Sequence, residues 1–309
     1  MNEIYPLKMK PEIKYLLWGG TRLKEVYQKP CTGEDAGESW EVSTHPAGLS
    51  TVANGSMAGT TLADAIARHP GQIAPADFPF LFKLIDANRD LSIQVHPDDV
   101  YAQKHENSPR GKTEMWYIID AKPGARIGYG WNQEMTKEQV EAAAQNGTLE
   151  QFINYIPVKA GQAYFIPAGT VHCLCEGLLV AEIQQNSNVT YRLYDYNRKD
   201  AEGKSRPLHI AQSLDVASLT SAKDIKPVTG DNVTLASCPY FTARKITGQD
   251  YQGDTKNRFE LIFFISGQGE IVTQAGTEPF KAGDTFLLPS ALGAYTIQGQ
   301  FSVMQCFES

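Results

Sequence analysis

Lys159-Ala-Gly-Gln-Ala-Tyr-Phe-Ile-Pro-Ala168 returns, 122 residues later, as Lys281-Ala-Gly-Asp-Thr-Phe-Leu-Leu-Pro-Ser290. Both copies read as a tight turn feeding a short apolar strand. The glycine suits the turn, and the proline, with no N–H to donate, marks where strand pairing stops. Upstream of each copy a glutamate opens an apolar run, Glu114-Met-Trp-Tyr-Ile-Ile119 before the first and Glu260-Leu-Ile-Phe-Phe-Ile265 before the second. Two separate pieces recurring in the same order indicate one β unit used twice. Short apolar runs at 91–95, 115–119, 162–166, 178–184, 261–265 and 285–288, punctuated by Gly and Pro, predict strands. Many short strands with close turns predict a β-sandwich or barrel. Helical patterning is confined to 61–68, with Thr60 or Thr61 as N-cap, and 136–145, where Thr136-Lys-Glu-Gln139 opens as a capping signal.

The chain has 309 residues, 42% hydrophobic and 20% charged, which is ordinary globular composition and enough for two domains with real cores. A net charge of -7 argues against a nucleic-acid partner. An anionic substrate would have to be met by locally placed Lys or Arg, working against the overall field. No stretch approaches the roughly 20 apolar residues of a membrane span, and the first residues carry no long apolar run, so a cytoplasmic protein with no membrane partner is expected. Five cysteines, odd in number and without framework spacing, agree with that compartment. Cys173 and Cys175 read as small buried apolar side chains.

Extended to His172, the first copy becomes Lys-x-Gly-(x)5-Pro-x-Gly-x-x-His, a pattern that resembles the second conserved motif of cupins. The resemblance implies a mainly β chain of two cupin-type β-barrel (jelly-roll) units with a few helices. The counterpart of His172 in the second copy is Ala294, so the second unit reads as degenerate and the first as the metal-bearing one. The polar stretch 218–231 suits a boundary, giving a catalytic metal-binding domain with helical insertions over 1–225 and a degenerate cupin domain over 226–309.

Candidate ligands collect around His172. In Gln94-Val-His96-Pro97, residues two apart on a strand share a face, so Gln94 and His96 point the same way. Glu114 opens the next strand, and His172 follows the turn after Pro167. Two imidazoles, one carboxylate and one amide oxygen suit zinc, which accepts His nitrogen and Glu oxygen and keeps an open position in catalytic sites. A neutral Gln in place of a third His argues against a redox iron site. Spacing alone leaves each of the four as either a ligand or a hydrogen-bonded strand residue.

A more specific resemblance runs from about residue 15 to 198. It is carried by Phe80-Leu-Phe-Lys-Leu-Ile-Asp-Ala-Asn-Arg-Asp-Leu-Ser-Ile-Gln-Val-His-Pro-Asp98, Gly111-Lys-Thr-Glu-Met-Trp-Tyr117, Pro167-Ala-Gly-Thr-Val-His172 and Thr190-Tyr-Arg-Leu-Tyr-Asp195, with Trp18-Gly19 and Glu38-Ser-Trp-Glu-Val-Ser43 before them. These segments are similar to the type I mannose-6-phosphate isomerases in their short bacterial form. The resemblance implies interconversion of D-mannose 6-phosphate and D-fructose 6-phosphate through an enediolate. It also implies one Zn2+ per chain on Gln94, His96, Glu114 and His172, with Arg192 and Lys112 as catalytic residues. Phosphate calls for cationic groups, Arg above all, so Lys83 and Arg198 join Arg192 as candidates for holding substrate. Trp18 and Trp40 either line the pocket or belong to aromatic core. His45, His69, His105 and His209 read as structural or surface residues.

One departure stands out. Related short-form sequences carry Ser-Asp where this chain has Ser187-Asn188, and an amide cannot act as a carboxylate base, so the proton carrier stays open. Three other readings share parts of the pattern. A cupin glucose-6-phosphate isomerase has the same chemistry but is less favoured by the Gln94 and Arg192 motifs. A cupin iron oxygenase would more often show His-x-His than Gln94-x-His96. A sugar-binding regulator on a decayed cupin would have lost its ligands. Oligomeric state is not legible.

Overall fold

Residues 80–87, Phe-Leu-Phe-Lys-Leu-Ile-Asp-Ala, are apolar almost without alternation, the pattern of a strand covered on both faces. In the computed structural model, which describes residues 4–200 and 202–309, the strand Phe80–Ala87 is buried at every position. It lies inside a six-stranded antiparallel sheet ordered Ala163–Ile166, Glu114–Ala121, Leu178–Gln185, Phe80–Ala87, Ala36–Val42, Glu12–Gly20. One face of this sheet, with Phe80, Phe82, Leu84, Met115, Tyr117 and Ile183, packs on Leu261, Phe263, Leu287 and Met304 of the C-terminal sheet. The other face, with Ile85, Trp116, Ile118 and Val180, packs on Ile127, Tyr129 and Leu174. Those last residues belong to a five-stranded sheet ordered Tyr191–Tyr194, Ile93–Val95, His172–Leu174, Arg126–Trp131, Ile153–Pro157. The result is three layers with the six-stranded sheet in the middle. At about 2 kcal/mol for each large apolar side chain fully removed from water, the middle strands tie all three together.

The C-terminal unit is a strongly folded sheet of eight strands. Its path is Val233–Ser237, Thr242–Asp254, Ala294–Phe307, Glu260–Thr273, Thr285–Leu288, Leu7–Lys10, Thr51–Val52, with Gly276–Lys281 paired to Glu260–Thr273. The run 261–265, read as a short strand, is part of a 14-residue strand. Gly267 and Gly269 do not end it. A Cβ on either would fall 1.9 Å from a carbonyl oxygen of the facing strand, Gln300 or Gln298, so glycine is what lets the two long strands close tightly there. The folded sheet encloses Ile262, Phe264, Phe286, Ile297, Phe301 and Val303. Leu7–Lys10 pairs in it as well, with Leu7 opposite Leu287.

The repeat survives at the level of register. Glu114 lies opposite Ile166 in the first unit, and Glu260 lies opposite Leu288 in the second. Gly161 and Gly283 both sit at φ +87°, a conformation that glycine takes without penalty. The strands end immediately before Pro167 and Pro289. The fold is thus mainly β, with two cupin-type units of which the second is degenerate.

Both expected helices form. Thr61 caps Leu62–Arg68 by accepting from the Asp64 N–H, and Thr136 and Gln139 make a reciprocal capping box on Lys137–Gln145. The helices Arg22–Tyr27, Asp99–His105 and Ile210–Val216 were not anticipated, being six or seven residues long and too short to show a period. Asp98, which accepts from the Tyr101 N–H, was a cap signal for the second. Among the described residues no helix is long and apolar enough to cross a membrane.

Candidate active site

Directly opposed residues on antiparallel strands share a face, and the register of the five-stranded sheet lines up three predicted residues. His172 is opposite Gln94, and Gln94 is opposite Arg192. In the six-stranded sheet Glu114 is opposite Gln184, and a second row runs Trp116, Glu182, Lys83, Trp40. The two rows face each other across the interior of the first unit. A cavity of about 180 Å³ lies between them, and Trp18, Gln94, Lys112, Trp116 and Arg192 are among its lining residues.

His96, Glu114 and His172 lie behind the cavity-lining Gln94 and Lys112, each about 1% exposed, with one ligand atom from each within 4.8 Å of the others. Nε2 of His96 is 3.5 Å from Glu114 Oε2, and Nε2 of His172 is 3.4 Å from Glu114 Oε1. The other ring nitrogens donate outward, His96 Nδ1 to the Val189 carbonyl at 2.9 Å and His172 Nδ1 to the Thr170 carbonyl at 2.8 Å. A carbonyl can only accept, so Nδ1 carries the proton and Nε2 turns its lone pair to the centre, the arrangement metal-ligating histidines need. Burial, with the Lys112 charge adding to it, lowers His96 to about 3. Burial likewise lowers His172. Both rings are therefore neutral near pH 7. Burial pushes Glu114 up, but the charge of the Lys112 ammonium beside it outweighs burial and holds its carboxyl well below the usual range.

The set fits a metal ion on its own evidence. Glu114 Oε1 and His172 Nε2 are buried with no hydrogen-bond partner. A buried polar atom left unpaired costs about 1–3 kcal/mol, and a cation receiving both lone pairs removes that cost. One carboxylate, two imidazoles and the neighbouring Gln94 amide form a hard-to-borderline donor set of the zinc type. Gln94 lines the cavity beside the triad.

Lys112 stands between the triad and the cavity. Its ammonium donates to His96 Nε2 at 2.9 Å and to the Glu114 carboxylate, and lies 3.7 Å from Glu182. Lys83 also lines the cavity, with its ammonium 3.2 Å from Glu38 and 3.1 Å from Glu182. Burial alone would lower Lys83, but the facing Glu182 and Glu38 raise it above the ordinary lysine range. Trp18 is both a cavity wall and 4% exposed, so pocket and aromatic core are the same thing here. Arg192 reaches the cavity with its Nε buried and unpaired, and among the described residues no carboxylate forms an ion pair with it.

Arg198 is not part of this cavity. Its guanidinium is held by the Asp195 carboxylate and the Asp90 carbonyl, and it lines a separate depression with Tyr194 and Asn197. The arginine that does line the cavity with Arg192 is Arg206, which is not among the candidates from the sequence. Glu182 and Glu38 were also passed over as site residues. Glu182 had a visible signal, a lone acid in the otherwise uncharged strand Leu178–Gln185. His45 accepts from the Ala47 N–H and packs edge-on to Trp40, a structural role.

Comparison with known proteins agrees with this geometry. Residues 7–120 match the family model for the phosphomannose isomerase type I catalytic domain, and 231–307 match that for the mannose-6-phosphate isomerase cupin domain. The chain is 41% identical over 306 residues to the mannose-6-phosphate isomerase ManA of Bacillus subtilis (strain 168), covering 95% of this chain and 96% of that protein. It is 36% identical to the mannose-6-phosphate isomerase of Streptococcus mutans, covering 97% of each. The crystal structure of the mannose 6-phosphate isomerase from Bacillus subtilis superposes with a TM-score of 0.89 at 35% identity, over 97% of this chain and 99% of that one.

Proposed function

The chain belongs to the type I phosphomannose isomerase family and isomerises mannose 6-phosphate, and from that premise we propose that its cavity converts D-mannose 6-phosphate to D-fructose 6-phosphate and back through an enediolate, with one zinc ion on Gln94, His96, Glu114 and His172. The observation that carries the zinc reading is the pair of buried, partnerless ligand atoms, Glu114 Oε1 and His172 Nε2, next to the cavity-lining Gln94 and Lys112. Zinc held there supplies Lewis-acid polarisation of the substrate's carbonyl and hydroxyl oxygens.

The remaining work falls to the chain's own side chains. Moving a proton between C1 and C2 develops negative charge on the adjacent oxygens. The Lys112 ammonium, on the cavity wall beside Glu114 and Glu182, is a cation close to that region, and Arg192 is a cation left without a carboxylate of its own. Trp18 and Trp116 wall the cavity and limit water around the intermediate. Asn188 also lines the cavity and offers no ionisable group, so the proton needs another carrier. Glu38 and Glu182 are the carboxyls on the cavity wall. Burial pushes Glu38 up, but Lys83 reverses the shift and holds it low. Glu182 is pushed up by burial and by the Glu114 charge, despite Lys112 and Lys83. A carboxyl with a raised pKa both takes and returns a proton more readily near neutral pH, and Glu182 is assigned the transfer.

We assign 1–225 to the catalytic unit and 226–309 to the second, supported by the cupin-domain match that begins at 231. A cytoplasmic location is proposed from the five unpaired cysteines. A coupled assay on mannose 6-phosphate, before and after chelation, tests the metal reading. Activity should vanish on chelation and return with zinc. Full activity in protein that elemental analysis shows to be metal-free would end it.

A further inference from the structure

The first unit ends on the strand Tyr191–Tyr194, the edge of the five-stranded sheet. Moving outward from the triad along that sheet, the register gives His172, then Gln94, then Arg192. Two strand spacings separate the first from the last, about 10 Å. Beyond the edge strand Arg206 returns to the cavity as a lining side chain, and it also borders the depression that Arg198 lines.

The charges here do not balance. Asp195 accepts from Arg206 through Nε at 2.7 Å and Nη2 at 2.5 Å, and the same carboxylate accepts from Arg198 at 2.5 Å. Arg192, lowered by burial and then by the charge of Arg206, stands beside them with no carboxylate partner among the described residues. Two guanidinium groups, Arg206 and Arg198, thus share one carboxylate, and a third, Arg192, lies beside Arg206 on the cavity wall with none of its own. A rigid guanidinium held by a fork on one side presents its remaining N–H groups in a fixed direction, the geometry that binds an oxyanion.

We propose that Arg206, oriented by Asp195, is the residue that grips the substrate's phosphate and thereby selects for phosphorylated sugars. Arg192 then lies between the phosphate and the reacting carbons, in reach of the charge that develops on the sugar oxygens. The proposal rests on the sugar-phosphate reading above. It also replaces Arg198, which the same carboxylate holds away from the cavity.

Steady-state kinetics on Arg206→Ala, Arg206→Lys and Arg198→Ala test it, with mannose 6-phosphate as substrate and inorganic phosphate as competitor. Arg206→Ala should raise KM at least tenfold with kcat within a fewfold of the parent, and should weaken inhibition by inorganic phosphate by a similar factor. Arg206→Lys should recover part of the loss. Arg198→Ala removes a partner of the same Asp195 without touching the cavity, so its KM should stay near the parent value. An unchanged KM and unchanged phosphate inhibition in Arg206→Ala would overturn the proposal. So would an equal rise in Arg198→Ala, which would show that only the integrity of the loop matters. Calorimetric titration of inorganic phosphate into the zinc-loaded parent and Arg206→Ala reads the site without turnover. If the parent failed to isomerise mannose 6-phosphate, the activity reading would fall while this titration still decided Arg206.

Discussion

Glu114 and Glu260 hold the same register position in the two units and are equally buried, about 1% exposed, yet their surroundings are opposite. Glu114 faces two neutral imidazoles and keeps one oxygen without a partner. Glu260 accepts from the Tyr295 hydroxyl at 2.6 Å and the Gln305 amide at 2.8 Å, with Arg258 3.4 Å from its other oxygen. Where the first unit has buried His172, the second has exposed Ala294, and the next residue, Tyr295, turns inward to fill the place. One fold position thus serves two ends. In the first unit, polar atoms stay unsatisfied at a cost to stability, which is tolerable if an ion binds there. In the second, the same glutamate is closed into a hydrogen-bonded core. The difference shows that a buried carboxylate marks a site only when its neighbours leave it unsatisfied.

The comparison breaks most visibly at the ligands. His172→Ala or His96→Ala should abolish isomerase activity and take bound zinc from about one equivalent to almost none, while Glu260→Gln should change neither. Elemental analysis paired with the coupled assay reads this directly. Two zinc equivalents at full occupancy, or full activity without His172, would erase the distinction between the units.

A smaller effect is expected at the unpaired cation of the first unit. Arg192→Ala should lower kcat about a hundredfold, since losing an oxyanion partner costs on the order of 3 kcal/mol. Zinc content should be unaffected. Arg192→Lys should rescue poorly if the planar fork matters. A raised KM with near-parent kcat would instead make Arg192 a binding residue.

The smallest effect belongs to the second unit. Glu260→Gln should cost about 1–2 kcal/mol of stability by weakening two charge-assisted hydrogen bonds, seen as a lowered Tm with unchanged kcat. A loss of activity without a loss of stability would mean that the second unit does more than support the first.

The parts of the site legible in the sequence are those written in neighbouring residues. The Gln94-x-His96 pair needs only the two-residue period of a strand. The Thr136 capping box and the Gly161 and Gly283 turns need only local geometry. Arg206 was not legible, because a loop arginine carries no period and its relation to Arg192 depends on where the edge strand lies. The position of Arg198 was not legible for the same reason, since nothing local told that the Asp195 carboxylate and the Asp90 carbonyl would hold it outside the cavity.

By itself the sequence determined the β class, the duplicated unit, the four candidate ligands and the loss of the second site at Ala294, because each is encoded in a short pattern or in the repeat. Only the tertiary structure decided that Leu7–Lys10 completes the far sheet and that Lys29 pairs with Glu41 at 2.7 Å while Thr285 bonds the same carboxylate. It alone brought Glu182 between Lys83 and Lys112. These partners are distant in sequence, and burial sets their strength: a charge in the interior is stable only beside its counter-charge, so the packed layers choose which distant residues meet.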